Sequence, residues 1–157
     1  MKHIITIFFI LLSLPAIAEK YCVFTPIKGT EGLGGNRVRN ITQLPDGRMM
    51  IITEGLLNLY DGTDFNYLHY NQKHFCPLSA YSGFHHEYID SHGYMWIKNQ
   101  YQLMAVDIKH ECLVEQPDSL LATWGISSPI KDFFMDKAKN IWTLIPQHYY
   151  KIFFLST

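Results

Sequence analysis

FHHEYIDSHGYMWIKN, residues 84–99, reads as two short apolar-biased segments folded about a turn at Ser91-His92-Gly93, with Met95 and Trp96 opening the second segment. The same layout stands 46 residues earlier in VRNITQLPDGRMMIIT (38–53), where the turn is Pro45-Asp46-Gly47 and Met50 takes the place of Trp96. It stands again 46 residues later in IKDFFMDKAKNIWTLI (130–145), with Lys137-Ala138-Lys139 at the turn and Trp142 following. Val38, Phe84 and Ile130 keep the spacing, as do Met49, Met95 and Ile141, and Leu57 to Asp61 matches Leu103 to Asp107. A fixed period of this size marks a repeat architecture, in which one unit cannot bury its faces without a neighbour.

Gly and Asp at the turn tips suit hairpins, because the chain there needs backbone angles that a Cβ resists. The first unit continues through LLNLY, a second turn at Asp61-Gly62, and FNYLH. Four strands are therefore expected at about 38–43, 49–53, 57–60 and 65–69. Helical repeats of this length need two amphipathic stretches of about a dozen residues each, and the Gly, Pro and Asp punctuation leaves none. The expected fold is all-β: a partial β-propeller of about three four-stranded antiparallel blades. Blade 1 falls at 38–83, blade 2 at 84–129 and an incomplete blade 3 at 130–157, after an outer strand and lead-in loop at 19–37. Met50, Trp96 and Trp142 fill the gaps between blades on this reading, while Gly47, Gly93, Asp61 and Asp107 form turns.

Residues 1–18 form a separate element. Lys2 precedes an apolar run from Ile4 to Ile17, which closes on Ala16-Ile17-Ala18. Basic end, short apolar stretch and small-x-small ending make a secretory signal, cut after Ala18. The run is shorter than the roughly 20 residues that a spanning helix needs, and Pro15 breaks it. The chain is therefore expected in the periplasm or outside the cell, with no membrane span. Export leaves Cys22, Cys76 and Cys112 in an oxidising compartment. An odd number leaves at least one thiol unpaired within the chain, and the spacing gives no zinc pattern and no pairing.

Composition narrows the function. Of 157 residues, 48% are hydrophobic, 15% aromatic and 17% charged, which excludes disorder. A formal charge of −1 without like-charge runs removes the basic footprint of nucleic-acid binding. The Gly32-Leu33-Gly34-Gly35 stretch lacks the lysine and the strand-then-helix setting of a phosphate loop, and reads as a turn. His85, His86, Glu87 and His92 suggest a metal site, but adjacent strand residues point to opposite faces, so no metal or other cofactor is expected. Carboxylates at Asp61, Asp64, Glu87 and Asp90 do not form an evident catalytic pair. Asn40-Ile41-Thr42 matches a glycosylation acceptor only formally.

EGLGGNRVRNI (31–41), PDGR (45–48) and TEGLLNLYDG (53–62) resemble the two-component regulator propeller repeat. That family shows a Gly-Leu-Ser-Ser-Asn lead-in, an Asp-x-x-Gly-x-x-Trp turn and a Gly-Leu-x-x-Tyr-Asp-Gly close. Its repeats build the periplasmic sensor region of hybrid histidine kinases, best known from gut Bacteroidetes, whose ligands are often glycan fragments. The resemblance spans about Tyr21 to Ile152. Departures are Met50 for the usual Trp, Lys139 for the turn Gly, and PQHY (146–149) where Gly-Leu belongs.

The resemblance implies a non-enzymatic ligand-sensing segment, since kinase motifs do not follow Ile152, with a glycan or other small molecule as partner. Asn36, Arg37 and the loop Ser79 to Gly83 are the expected contacts, at the end where loops enter the inner strands. A closed ring typically takes about 4–8 blades, so the chain is expected to be a truncated, N-terminal piece of such a sensor, and the remaining blades or another chain must complete the ring. The alternatives are an exported carbohydrate-active propeller enzyme, or a small secreted interaction protein that completes its sheet by oligomerising.

Overall fold

A computed structural model describes residues 25–27, 29, 32–70, 72–78, 85–126, 129–145 and 148–153. The expected leader at 1–18, Cys22, Phe84 and the loop Ser79 to Gly83 lie outside the described residues. Of the expected outer strand at Tyr21–Ile27, residues 25–27 belong to no strand.

The described chain is mostly antiparallel β with one short helix. β1 (Val38–Gln43), β2 (Met49–Thr53), β3 (Leu56–Tyr60) and β4 (Phe65–His69) pair in chain order as a first sheet. The second sheet runs β5 (Cys76–Pro77), β8 (Gln102–Asp107), β7 (Tyr94–Lys98), β6 (His86–Ile89), and β9 (Cys112–Leu113) also pairs with β8. The third is β10 (Asp132–Met135), β11 (Ile141–Ile145) and β12 (His148–Phe153).

The three opening hairpins share one register. Thr42 faces Met50, Tyr88 faces Trp96 and Phe134 faces Trp142, each pair 46 residues beyond the last. Their turns agree as well: φ is +91° at Gly47, +88° at Gly93 and +67° at Lys139. A left-handed lysine is strained where glycine is not. The second hairpins agree only in the first two sheets, where Met50 faces Leu59 and Trp96 faces Ala105. In the third, Trp142 faces Ile152 rather than Lys151, because β11–β12 has an irregularity between Thr143 and Ile145.

The outer edge of the second sheet departs from the expected four-strand meander. Two residues of β9 and two of β5 share the edge that β4 fills in the first sheet. β9 ends because α1 (Pro117–Thr123) soon begins, with Pro117 in its first turn, where a missing N–H costs nothing. Gly125 (φ +78°) closes the helix: its N–H reaches Ala122 O and the Ile126 N–H reaches Leu121 O, at 3.0 and 2.9 Å. The loop thereby delivers Leu121 and Ile126 to the core.

Two apolar layers hold the sheets together. Met50, Ile52, Leu57 and Leu59 of the first sheet pack against Met95, Ile97, Met104 and Val106 of the second. The opposite face of the second sheet, with Trp96, Leu103 and Ala105, packs against Phe133, Met135 and Ile141 of the third and against Leu121 and Ile126. Among the described residues, only the middle sheet packs on another sheet at both faces, while the far face of the first carries the lead-in at 32–36, which buries Asn58 and Thr53.

Candidate functional site

Period-two alternation decides which side chains enter each layer and which remain for other work. Trp96 is fully buried, and a buried indole N–H needs an acceptor. Asp90 supplies it: Oδ2 accepts from Trp96 Nε1 at 2.7 Å, while Oδ1 takes the backbone N–H of His92 and Tyr94. Asp136 repeats the clasp on Trp142 at 3.0 Å and on the N–H of Ala138 and Asn140. Its hydrogen bonds, the indole first, hold the carboxyl below the usual range. In the first sheet Leu44 replaces the aspartate and Met50 the indole, so neither polar partner is present.

Asp61 and Asp107 cap turns. Asp61 Oδ1 accepts the N–H of Thr63 and Asp64, both at 2.8 Å, and these lower its pKa to about 2. Asp107 accepts the His110 N–H at 3.0 Å and faces its ring at 2.8 Å. The glycine-rich lead-in closes on the first sheet, where Asn58 Oδ1 accepts the Gly34 N–H at 2.8 Å. A Cβ on Gly34 would stand 2.6 Å from Leu56 Cδ1 and 2.7 Å from Asn58 Oδ1, so a larger residue would have to push these side chains aside.

A cleft of about 780 Å³ opens between the first and second sheets where β1 and β6 begin. Ile52, Arg39, Asn40, Glu54, Tyr70, His85 and Asn99 line it. Arg39 sits at an irregularity in β1, between Val38 and Asn40, and its guanidinium donates to Glu54 Oε1 at 2.5 Å. Asn40 reaches across to the second sheet and donates its amide to Glu87. His85 Nε2 lies within ion-pair distance of the same carboxylate, at 2.7 Å. Tyr70 Oη accepts the Gly55 N–H at 3.2 Å, and its ring meets Phe75 edge-on.

The other end of the same joint is clipped shut. Arg48 donates to Asp46 at 2.7 Å, to the Ile108 carbonyl at 3.0 Å and to Glu111, whose second oxygen accepts from Asn66 at 2.7 Å. Glu111 holds a left-handed conformation (φ +53°) in making this bridge. Polar bridges thus cross the joint at both ends, Asn40–Glu87 beside the cleft and Arg48–Glu111 at the other.

Of the expected contacts, Arg37 stands outside the cleft lining, exposed and 3.2 Å from Glu54. Asn36 is exposed nearby. Sequence reasoning did not assemble Arg39, Asn40, Glu54, Tyr70 and Asn99, and it considered His85 and Glu87 only as metal ligands or an acid pair. The available signal was a charged or amide residue at the first positions of two matched strands. His85 and His86 do diverge: His86 stacks with Tyr88, on the side away from Glu87. Among the described residues no group of three or more His, Cys, Asp or Glu side chains is placed to hold a metal ion. Cys76 is buried and Cys112 exposed, and the two are not joined. Burial, and then Asp118, pushes the Cys76 thiol up to about 11. No helix among the described residues is long and apolar enough to cross a membrane.

Chemically, the cleft offers guanidinium, amide, imidazole and carboxylate groups around an aliphatic floor and a tyrosine ring, a set that suits a hydroxyl-rich or anionic small molecule.

No family profile matches the chain, and no curated protein does. Among solved structures, it is similar to the extracellular domain assigned to a hybrid two-component system of B. thetaiotaomicron, with 22% sequence identity and a TM-score of 0.47. The likeness covers 82% of this chain and 18% of that one, so the chain spans less than a fifth of its length.

Proposed function

We propose that the chain is the ligand-sensing segment of an exported two-component signalling protein of the hybrid histidine kinase kind. It supplies three successive propeller blades and is not itself an enzyme. One observation carries the reading: hairpins of identical register recur every 46 residues, and their sheets stack with the middle one covered on both faces. Stacked four-strand units bury their faces in this way. The resemblance of residues 31–62 to the sensor repeat adds the signalling role, and the leader at 1–18 adds the periplasmic location.

The ligand on this reading is a glycan fragment bound in the cleft over Ile52. Arg39 and Asn40 offer donors to its hydroxyl or carboxylate oxygens, and Tyr70 offers a ring face. Asn36 and Arg37 stand at the rim, where a longer oligosaccharide would reach them. Calorimetric titration of the exported chain with neutral and acidic oligosaccharides tests this. Saturable binding that Arg39→Ala weakens, with the sugar recovered intact, is the expected result. Absence of binding throughout the panel, or turnover of any sugar, overturns it.

A further inference from the structure

Arg39 and Asn40 are neighbours in β1, and regular strand alternation would send them to opposite faces. Both line the cleft. Val38 faces Thr53 and Asn40 faces Ile52, so Arg39 is the extra residue of a bulge, which re-aims its side chain. Arg37, just before the strand, joins Arg39 on a single acceptor, Glu54 Oε1, at 3.2 and 2.5 Å. Each guanidinium carries several N–H donors in a planar fork, and among the described residues each spends one of them, on that oxygen. The two side chains are 77% and 61% exposed, so the remaining donors face solvent at the cleft mouth. Two cations against one carboxylate leave a surplus positive charge there. Glu87 does not offset it at the mouth, because its side chain is 9% exposed and turned into the joint toward Asn40 and His85. The next joint fills the matching place differently. Lys98, 46 residues beyond Ile52, is buried and pairs with Asp132 at 2.8 Å. There cation and carboxylate are both built in, whereas at the first joint the floor is aliphatic and the cations stand at the rim.

We propose that the cleft selects acidic over neutral sugars, the carboxylate of a uronic acid unit seating between Arg37 and Arg39 with its ring over Ile52. The proposal rests on the glycan reading above and names the sugar class together with the residue, Arg37, that sets it. Glu54 shows that the place accepts a carboxylate, since one of its oxygens is already shared by both guanidiniums. Their planar forks match the two oxygens of a second one. Glu54 sets a like charge beside the incoming group, and the two guanidiniums outnumber it. A sugar hydroxyl in the same place gains less, because a hydrogen bond between charged groups is about twice as strong as one to a neutral acceptor.

Calorimetric titration of the exported chain with uronic acid oligosaccharides, and with the same oligosaccharides after reduction of their carboxyls to primary alcohols, tests this. Linkage and ring stereochemistry are shared, so the difference between the two series reads the carboxylate alone. The reduced series should bind at least about tenfold more weakly. Arg37→Ala, at an exposed position outside the cleft lining, should weaken the acidic series about three- to fivefold and leave the reduced series within about twofold. Added salt should weaken the acidic series and spare the reduced one. Sulfated neutral oligosaccharides form a third arm, and tighter binding of these than of the uronic acids overturns the proposal. Equal or reversed affinity for the acidic and reduced series, or an Arg37→Ala loss of the same size in both, also overturns it and leaves the glycan reading standing. Absence of binding in all three arms overturns the glycan reading as well.

Discussion

Between the first and second sheets the filling is aliphatic and thioether: Met50, Ile52, Leu57 and Leu59 against Met95, Ile97, Met104 and Val106. Between the second and third it is aromatic at its centre, with Trp96 against Phe133 and Trp124. The difference extends to a residue outside the packing itself. An indole brings a polar N–H into the layer, and leaving it unpaired costs about 1–3 kcal/mol. Asp90 answers that requirement at the aromatic joint. At the thioether joint Met50 needs no acceptor, and Leu44 sits in the aspartate's place, 2% exposed. The pairs Leu44/Met50 and Asp90/Trp96 are thus alternative complete solutions, and a mixture of them leaves a buried group unsatisfied.

The largest expected effect separates the two tryptophans. Trp96→Ala should cost about 3–5 kcal/mol, as for a fully buried large-to-small change. Trp142→Ala should cost a fraction of that, because Trp142 is half-buried and, among the described residues, no further sheet packs on its face. Urea midpoints measure both, and equal losses would mean that the third sheet is covered as well as the second. Mixing the two solutions comes next. Leu44→Asp alone buries a carboxylate beside a thioether and should cost about 3 kcal/mol. Adding Met50→Trp should recover at least about 1 kcal/mol through the restored clasp. Strict additivity in that double-mutant cycle would break the coupling.

Smaller effects sharpen the comparison at the turns. Lys139→Gly removes a left-handed side chain and should raise stability by about 0.5–1 kcal/mol, less whatever its contact with the Ile89 carbonyl contributes. A loss of stability would show that this contact outweighs the strain. The smallest effect is protonic. Asp61 is held at about 2 in the folded chain against an ordinary 3.8, so its contribution is complete above 3.8 and fades as pH falls toward 2. A carboxyl NMR titration of Asp61 with a midpoint near 3.8 would contradict the turn cap.

The turns and opening hairpins were legible in the sequence because their signals are local. Pro45-Asp46-Gly47 and Ser91-His92-Gly93 announce the bend, and even Lys139 adopts the glycine-like angle that its position demands. The strands of the first sheet fall within one residue of expectation, β3 beginning at Leu56. Elements that depend on distant partners were not legible. β5 is a two-residue strand defined only by its pairing with Leu103 and Gln102. α1 is seven residues long, too short for a periodic signal, though Pro117 and Gly125 bracket it. The cleft was opaque for the same reason: Arg39, Glu54, Tyr70, His85 and Asn99 come from five separate stretches and meet only when two sheets stack.

Native-state hydrogen exchange across β2, β7 and β11 tests the central claim most directly, because these are the corresponding strands of the three sheets. If packing between two sheets is what holds the stack, amides of β7, in the sheet that has a neighbouring sheet on each face, exchange slowest, only through global opening, and those of β2 and β11 escape earlier through local opening. Amides of β2 or β11 as slow as those of β7, in the monomeric chain, would contradict the account.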